Sequence, residues 1–166
     1  VRGYITLFTG TPLLVQIFYI YYALAKFLQV SGLTSAVIAI SFCYGAYMGE
    51  VFRAGIMAVN KGQTEAARSL GLSASQTMTR IVFPQAFKNV LPAMCNEFVA
   101  VTKETSLAST ITVTEMFRQA IVINGRVYET LALYTEVALI YLAFCSLLTL
   151  VQRWGEKKLS SYGGVR

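Results

Sequence analysis

The sequence predicts an all-α integral membrane protein, and three observations carry that expectation. Hydrophobic residues make up 55% of the 166 and charged residues only 13%, against about 25% charged in an ordinary soluble domain, so lipid is the solvent that suits the chain. Apolar stretches long enough to cross ~30 Å of hydrocarbon, at ~1.5 Å per helical residue, occur four times. The basic residues fall mostly on one side of those stretches. A chain of this length fits one domain.

The first apolar stretch runs over residues 12–28 and the second over 33–58, with residues 30–34 expected as a tight turn containing Gly32. The third, interrupted by polar residues, covers 88–113. The fourth, 131–151, carries Glu136 as its one charge. Residues 59–87 are too polar for lipid and too helix-prone to be irregular, so they read as short surface helices. Residues 63–70 suit one helix and Gly71 its left-handed cap. Ser73 with Gln76 three residues on matches a capping box opening a second. Pro84 is expected to end or kink that second helix.

Lys and Arg set the orientation, because cytoplasmic loops carry the positive excess. The 59–88 loop holds Lys61, Arg68, Arg80 and Lys88, and the tail holds Arg153, Lys157, Lys158 and Arg166; with Arg2 these make nine. Lys26, Arg118 and Arg126 fall opposite, and Arg53 and Lys103 lie within spans. Loop and tail are therefore expected in the cytoplasm. Val1 opens the chain without the basic flank and cleavage site of a signal peptide, so the start reads as a truncation.

Composition also excludes. His and Asp are absent, which removes the usual general bases and leaves eight glutamates. Cys43, Cys95 and Cys145 are odd in number and far apart, offering neither a disulfide framework nor a metal pair. Neither catalytic residues, cofactor nor metal is expected. The net charge of +6 is dispersed between apolar segments, which argues against nucleic acid as a partner.

The most informative stretch is Glu65-Ala66-Ala67, then Gly71, Ile81 and Phe83-Pro84, within the expected cytoplasmic loop. It resembles the EAA loop of binding-protein-dependent ABC importers, with Phe83 in place of a more usual leucine of similar volume. The resemblance implies that residues 59–88 form a coupling loop docking on separate ATP-binding subunits through Glu65, Ala66, Ala67, Gly71, Ile81 and Pro84. Small Ala66 and Ala67 suit close approach of a partner, with Glu65 and Arg68 as polar rim contacts. No GxxxxGK[ST] phosphate loop is present, which agrees with ATP binding elsewhere.

Further matches narrow the resemblance to polar amino acid permeases. They are Gly10-Thr11-Pro12-Leu13-Leu14-Val15-Gln16, Ala46-Tyr47, Glu50, Arg53, Ala54-Gly55-Ile56, Gly62-Gln63, Lys103 and residues 105–109. Thr9 stands where such permeases more often carry arginine. Residues 1–16 and 125–159 look nearest to permeases of arginine transporters. The implied fold is a MetI-like ABC importer transmembrane domain over residues 1–166, with four spans present and the first family helix missing. The implied setting is the bacterial inner membrane, crossed several times, with a second permease copy or relative, a periplasmic substrate-binding protein and membrane lipid as partners.

A charge at a helix centre costs about 2.5–3.5 kcal/mol on insertion scales, so each one asks for a partner or a water-filled cavity. Glu50 and Arg53, three apart, suit pairing with each other. Glu97 and Glu104, seven apart, share a face of the third span, with Asn96 and Thr102 adjacent, and two acceptors there suit a guanidinium or ammonium group. The alternatives are pairing of Glu104 with Lys103 or a neighbouring subunit, and of Glu97 with Glu136 or water. Gln16, an amide in the first span, is either a pathway residue or a packing one. The tyrosines suit the bilayer boundary.

The expected function is ATP-driven import of an amino acid, arginine or another polar one. The rivals are a secondary transporter or channel, which would need coupling-ion ligands or a pore ring, and a purely structural anchor for the ATPase. Orientation is checked directly: a cysteine at Ser75 should react with a membrane-impermeant reagent only from the cytoplasmic face. Labelling from outside would overturn both topology and coupling loop.

Overall fold

Lipid offers no hydrogen-bond partner to the backbone, so a chain of this composition closes its N–H and C=O groups within helices. The computed structural model describes residues 2–28 and 30–161, and among them there are helices and no strand. Val1 and Arg166, which enter the sequence argument at the two ends, lie outside the described residues. The helices are α1 (Arg2–Thr9), α2 (Leu13–Leu28), α3 (Gly32–Met57), α4 (Lys61–Ser69), α5 (Ala74–Thr77), α6 (Phe83–Glu104), α7 (Met116–Val127) and α8 (Thr130–Ser161). A π-turn, Met78–Val82, joins α5 to α6, and a 3-10 segment, Thr105–Ile111, follows α6.

Helix α3 is the centre, packed against α1, α2, α6 and the 3-10 segment. Its buried residues Ala36, Ala39, Cys43 and Ala46 recur every three or four positions, a stripe of small side chains on one face. Ile17 of α2 and Ile111 are buried against that stripe. Where lipid is as apolar as the side chains, close van der Waals packing through small residues is what holds helices together. The same device recurs at the crossing of α3 and α6. A Cβ on Gly55 would stand 2.0 Å from Val90 Cγ2 and 3.3 Å from the Ala86 carbonyl oxygen.

Helices α1 and α2 form a pair bent by 105°. Pro12 lacks the N–H that would bond the Phe8 carbonyl. The Gln16 side chain supplies the missing donor: Nε2 donates to Phe8 O, Thr11 O and Thr11 Oγ1, each at 2.9 Å. Tyr4 ties α1 to α3 by donating to Phe42 O at 2.5 Å, within a cluster of the Tyr4, Phe8 and Phe42 rings.

Several elements differ from expectation. Residues 32–34 are the first turn of α3, not a turn between helices, because Ser31 caps it by accepting from Thr34 N–H at 3.1 Å. Gly32 is needed there because the Ile111 carbonyl oxygen lies 3.0 Å from where a Cβ would be. Pro84 neither ends nor breaks its helix. It sits in the first turn of α6, just after the π-turn, where Phe83 N–H bonds Met78 O five residues back. The third stretch starts at Phe83 and leaves α-helical geometry at Glu104, where Thr105 and Ser106 hydroxyls bond the carbonyls of Thr102 and Lys103. The 3-10 segment ends on Thr112 at φ 64, in a left-handed cap unusual for a β-branched residue. Helix α7 was not expected. Helix α8 runs ten residues beyond 151.

Among the described residues, α3 and α8 are each long and apolar enough to cross a membrane, and the bent α1–α2 pair is so together. Helix α6, broken in pattern by Lys88, Asn89, Asn96, Glu97, Lys103 and Glu104, packs instead against both α3 and α8.

The Gly55 crossing yields a packing test. Gly55→Ala forces a methyl into Val90 and should lower stability by about 1–3 kcal/mol. Adding Val90→Ala should recover most of the loss. Additive effects in a double-mutant cycle, read by thermal unfolding in detergent, would show that the two positions do not touch.

Candidate functional site

Residues 61–82 fold as a hairpin of α4 and the α5–π-turn segment. Asn60 caps α4 by accepting from Gly62 N–H at 2.8 Å. The far end closes with paired reverse bonds, Gly71 N–H to Arg68 O at 3.0 Å and Leu72 N–H to Ala67 O at 3.2 Å, around Gly71 at φ +84. Ser73 then opens α5 with a full capping box: Gln76 N–H to Ser73 Oγ at 3.3 Å and Ser73 N–H to Gln76 Oε1 at 2.9 Å. Nothing lies within 4 Å of a Cβ built on Gly71, so this glycine supplies backbone freedom alone.

Glu65 and Ala66 are exposed on the outer face of the hairpin. Ala67 is not: at 5% exposure it is covered by its own chain. Ile81 is half-buried within the π-turn and Pro84 is exposed. Sequence reasoning passed over Leu70, 82% exposed at the hairpin tip. Its signal is a large apolar residue directly before a capping glycine in a polar loop.

The charged residues of the spans divide in two. Glu50 and Arg53 satisfy each other, with Arg53 Nε donating to Glu50 Oε2 at 2.9 Å and Nη2 donating to Oε1. They border a cleft of about 670 Å³ shared with Arg2, Thr6 and Tyr47. Glu97 and Glu104, both half-buried on α6, have no basic side chain within 4.0 Å among the described residues. Glu97 also lines a cavity of about 500 Å³ with Tyr44, Met48 and Gln152.

Of the four residues expected along a pathway, then, Glu97 borders the cavity with Tyr44 and Glu104 lies two turns farther along the same face of α6. Gln16 is engaged in the α1–α2 bend. Asn96 is tied to α8, its Oδ1 accepting from Gln152 Nε2 at 3.0 Å. Tyr44 had no mark in sequence beyond being one tyrosine among ten.

The family described as the binding-protein-dependent transport system inner membrane component matches residues 1–161. The chain belongs to this family. The permease is 44% identical over 161 residues to the L-cystine transport system permease protein of Bacillus subtilis, covering 96% of this chain and 69% of that one. It is 40% identical over 173 residues to the arginine ABC transporter permease protein of Escherichia coli K12, covering 98% and 77%. A crystal structure of an amino acid ABC transporter with histidines superposes with a TM-score of 0.91 at 38% identity, covering 95% of this chain and 74% of that one. The permease is accordingly a multi-pass inner-membrane transport component of an ABC importer, in which ATP hydrolysis belongs to separate subunits.

The cap at Gly71 gives a graded test. A side chain there meets no clash, so the cost is that of left-handed backbone, about 1–2 kcal/mol for an ordinary residue and least for Asn. Amide exchange in the hairpin should quicken in the order Asn, Ala, Val at position 71. An unchanged exchange rate in Gly71→Val would mean the cap does not hold the hairpin.

Proposed function

We propose that this permease carries a polar amino acid, arginine or one similar in charge, inward across the bacterial inner membrane. The observation that carries the reading is Glu97 and Glu104, two carboxylates on one face of α6 without a basic partner among the described residues, Glu97 lining a cavity beside Tyr44. A cation moving through a low-dielectric path needs such acceptors, and an unneutralised pair needs either a cation or water. The names of the arginine and L-cystine relatives support an amino acid cargo.

On this reading residues 59–88 are the coupling loop, and the ATP-binding subunits grip its outer face at Glu65, Ala66 and Leu70. Gly71, Ile81 and Pro84 shape the hairpin and its junction with α6. A second permease, identical or related, completes the pathway, and a periplasmic substrate-binding protein delivers the cargo.

Uptake into vesicles is the test. Transport should require internal ATP and added binding protein; uptake without either would favour a secondary transporter or channel. Glu97→Gln keeps shape but removes charge, so arginine uptake should weaken by about 1.5–3 kcal/mol, roughly tenfold or more in apparent affinity. Glutamine, if carried, should change less. Equal changes for both would make Glu97 structural.

A further inference from the structure

Beneath the hairpin, where the last turn of α3 meets α4 and the π-turn, lies a groove of about 510 Å³ that the transport reading does not use. Its apolar wall is built by Ile56 and Met57 of α3 with Met78 and Val82, the first and last residues of the π-turn. Its polar wall is one stripe of α4: Lys61, Thr64 and Arg68 stand at i, i+3 and i+7 and so share a face. No acidic residue lines the groove. Neither Lys61 nor Arg68 has a carboxylate within 4.0 Å among the described residues, Glu65 of the same helix included. Thr77, 2% exposed, also borders the groove, but its Oγ1 is buried out of reach of a ligand. The groove wall includes a π-turn, and such turns recur at functional positions.

We propose that this groove binds an anionic phospholipid of the cytoplasmic leaflet, with its phosphate between Lys61 and Arg68 and an acyl chain along Ile56, Met57 and Met78. The charge complementarity selects the headgroup: a phosphodiester offers only acceptors, and the lysine, the arginine and the Thr64 hydroxyl supply donors. A free phosphate would leave the apolar wall bare, and a hydrocarbon chain alone would leave the cations unpartnered. The groove opens at the end of α3, where the chain leaves the apolar span. Of the residues expected to meet the ATP-binding subunits, Glu65 and Leu70 lie outside the groove and Arg68 lies on its wall. The assignment to the cytoplasmic leaflet rests on the orientation in the proposed function; the binding chemistry does not.

Native mass spectrometry of the assembled importer in mild detergent, with dioleoyl phosphatidylglycerol or phosphatidylcholine added, tests it. The wild type should retain phosphatidylglycerol preferentially. Lys61→Gln with Arg68→Gln should weaken retention about thirtyfold, from roughly fivefold per basic residue beside an anionic surface. Thr64→Val should also weaken retention while leaving the lipid-free protein folded, since it exchanges an exposed hydroxyl on the groove wall for a methyl of similar size. Retention equal for both lipids, or unaltered by either variant, would overturn the proposal. So would competition by soluble glycerol 1-phosphate, which would make the groove a phosphate site, or loss of the preference on removing the ATP-binding subunits, which would give the groove to that partner. Retention requires no transport, so an importer that fails to carry arginine yet keeps phosphatidylglycerol overturns only the functional reading.

Discussion

The arrangement of this permease depends on how closely α3 and α6 approach at Gly55. Helix α3 leads into the hairpin and α6 leads out of it, so their crossing sets where the hairpin stands relative to the spans. With lipid outside, apolar side chains gain little by leaving solvent, and the contact relies on backbone nearness that a glycine allows. Buried Ala86 and Val90 on α6 fit against that glycine. Farther along α3, Ala36, Ala39, Cys43 and Ala46 repeat the device toward α2 and the 3-10 segment. One helix with a small-residue stripe thus gathers the others.

Charge follows from that frame. Arg53 and Glu50 lie within one turn of each other and neutralise locally, which asks nothing of neighbouring helices. Glu97 and Glu104 have no such partner among the described residues, and of the two Glu97 borders the cavity it shares with Tyr44. The first set is thus paired within one helix and the second is not.

The sequence made some of this legible because the signals were local. Ser73 with Gln76 and Gly71 specify a capping box and a left-handed cap within a few residues, and both formed. The apolar lengths of α3 and α8 were visible for the same reason. What escaped depended on partners distant in the chain. Gln16 reads as an amide in an apolar run, and only the 105° bend shows it answering for the N–H that Pro12 lacks. Gly32 reads as a turn until Ile111 is seen against it. Ala67 reads as a surface for a partner, yet it is covered by its own hairpin. Tyr44 became distinct from the other tyrosines only when α6 was laid beside α3.

Pro84 is the most instructive departure, because it bears on how the hairpin connects to the spans. A proline normally interrupts the hydrogen-bond ladder. Here the π-turn just ahead of it takes up the extra residue, so helical backbone runs without a gap from Ala74 through Glu104. Between Thr77 and Glu97 that amounts to about 30 Å of continuous helix at ~1.5 Å per residue. At the near end the hairpin is locked by the Gly71 cap and the Ser73 box, and midway α6 is pinned to Gly55. The hairpin and Glu97 are therefore joined by helical backbone with no loop between them, interrupted only by Pro92 within α6. The π-turn, the least regular part of that helical run, also forms a wall of the basic groove, so whatever fills the groove bears on the stiffness of the joint.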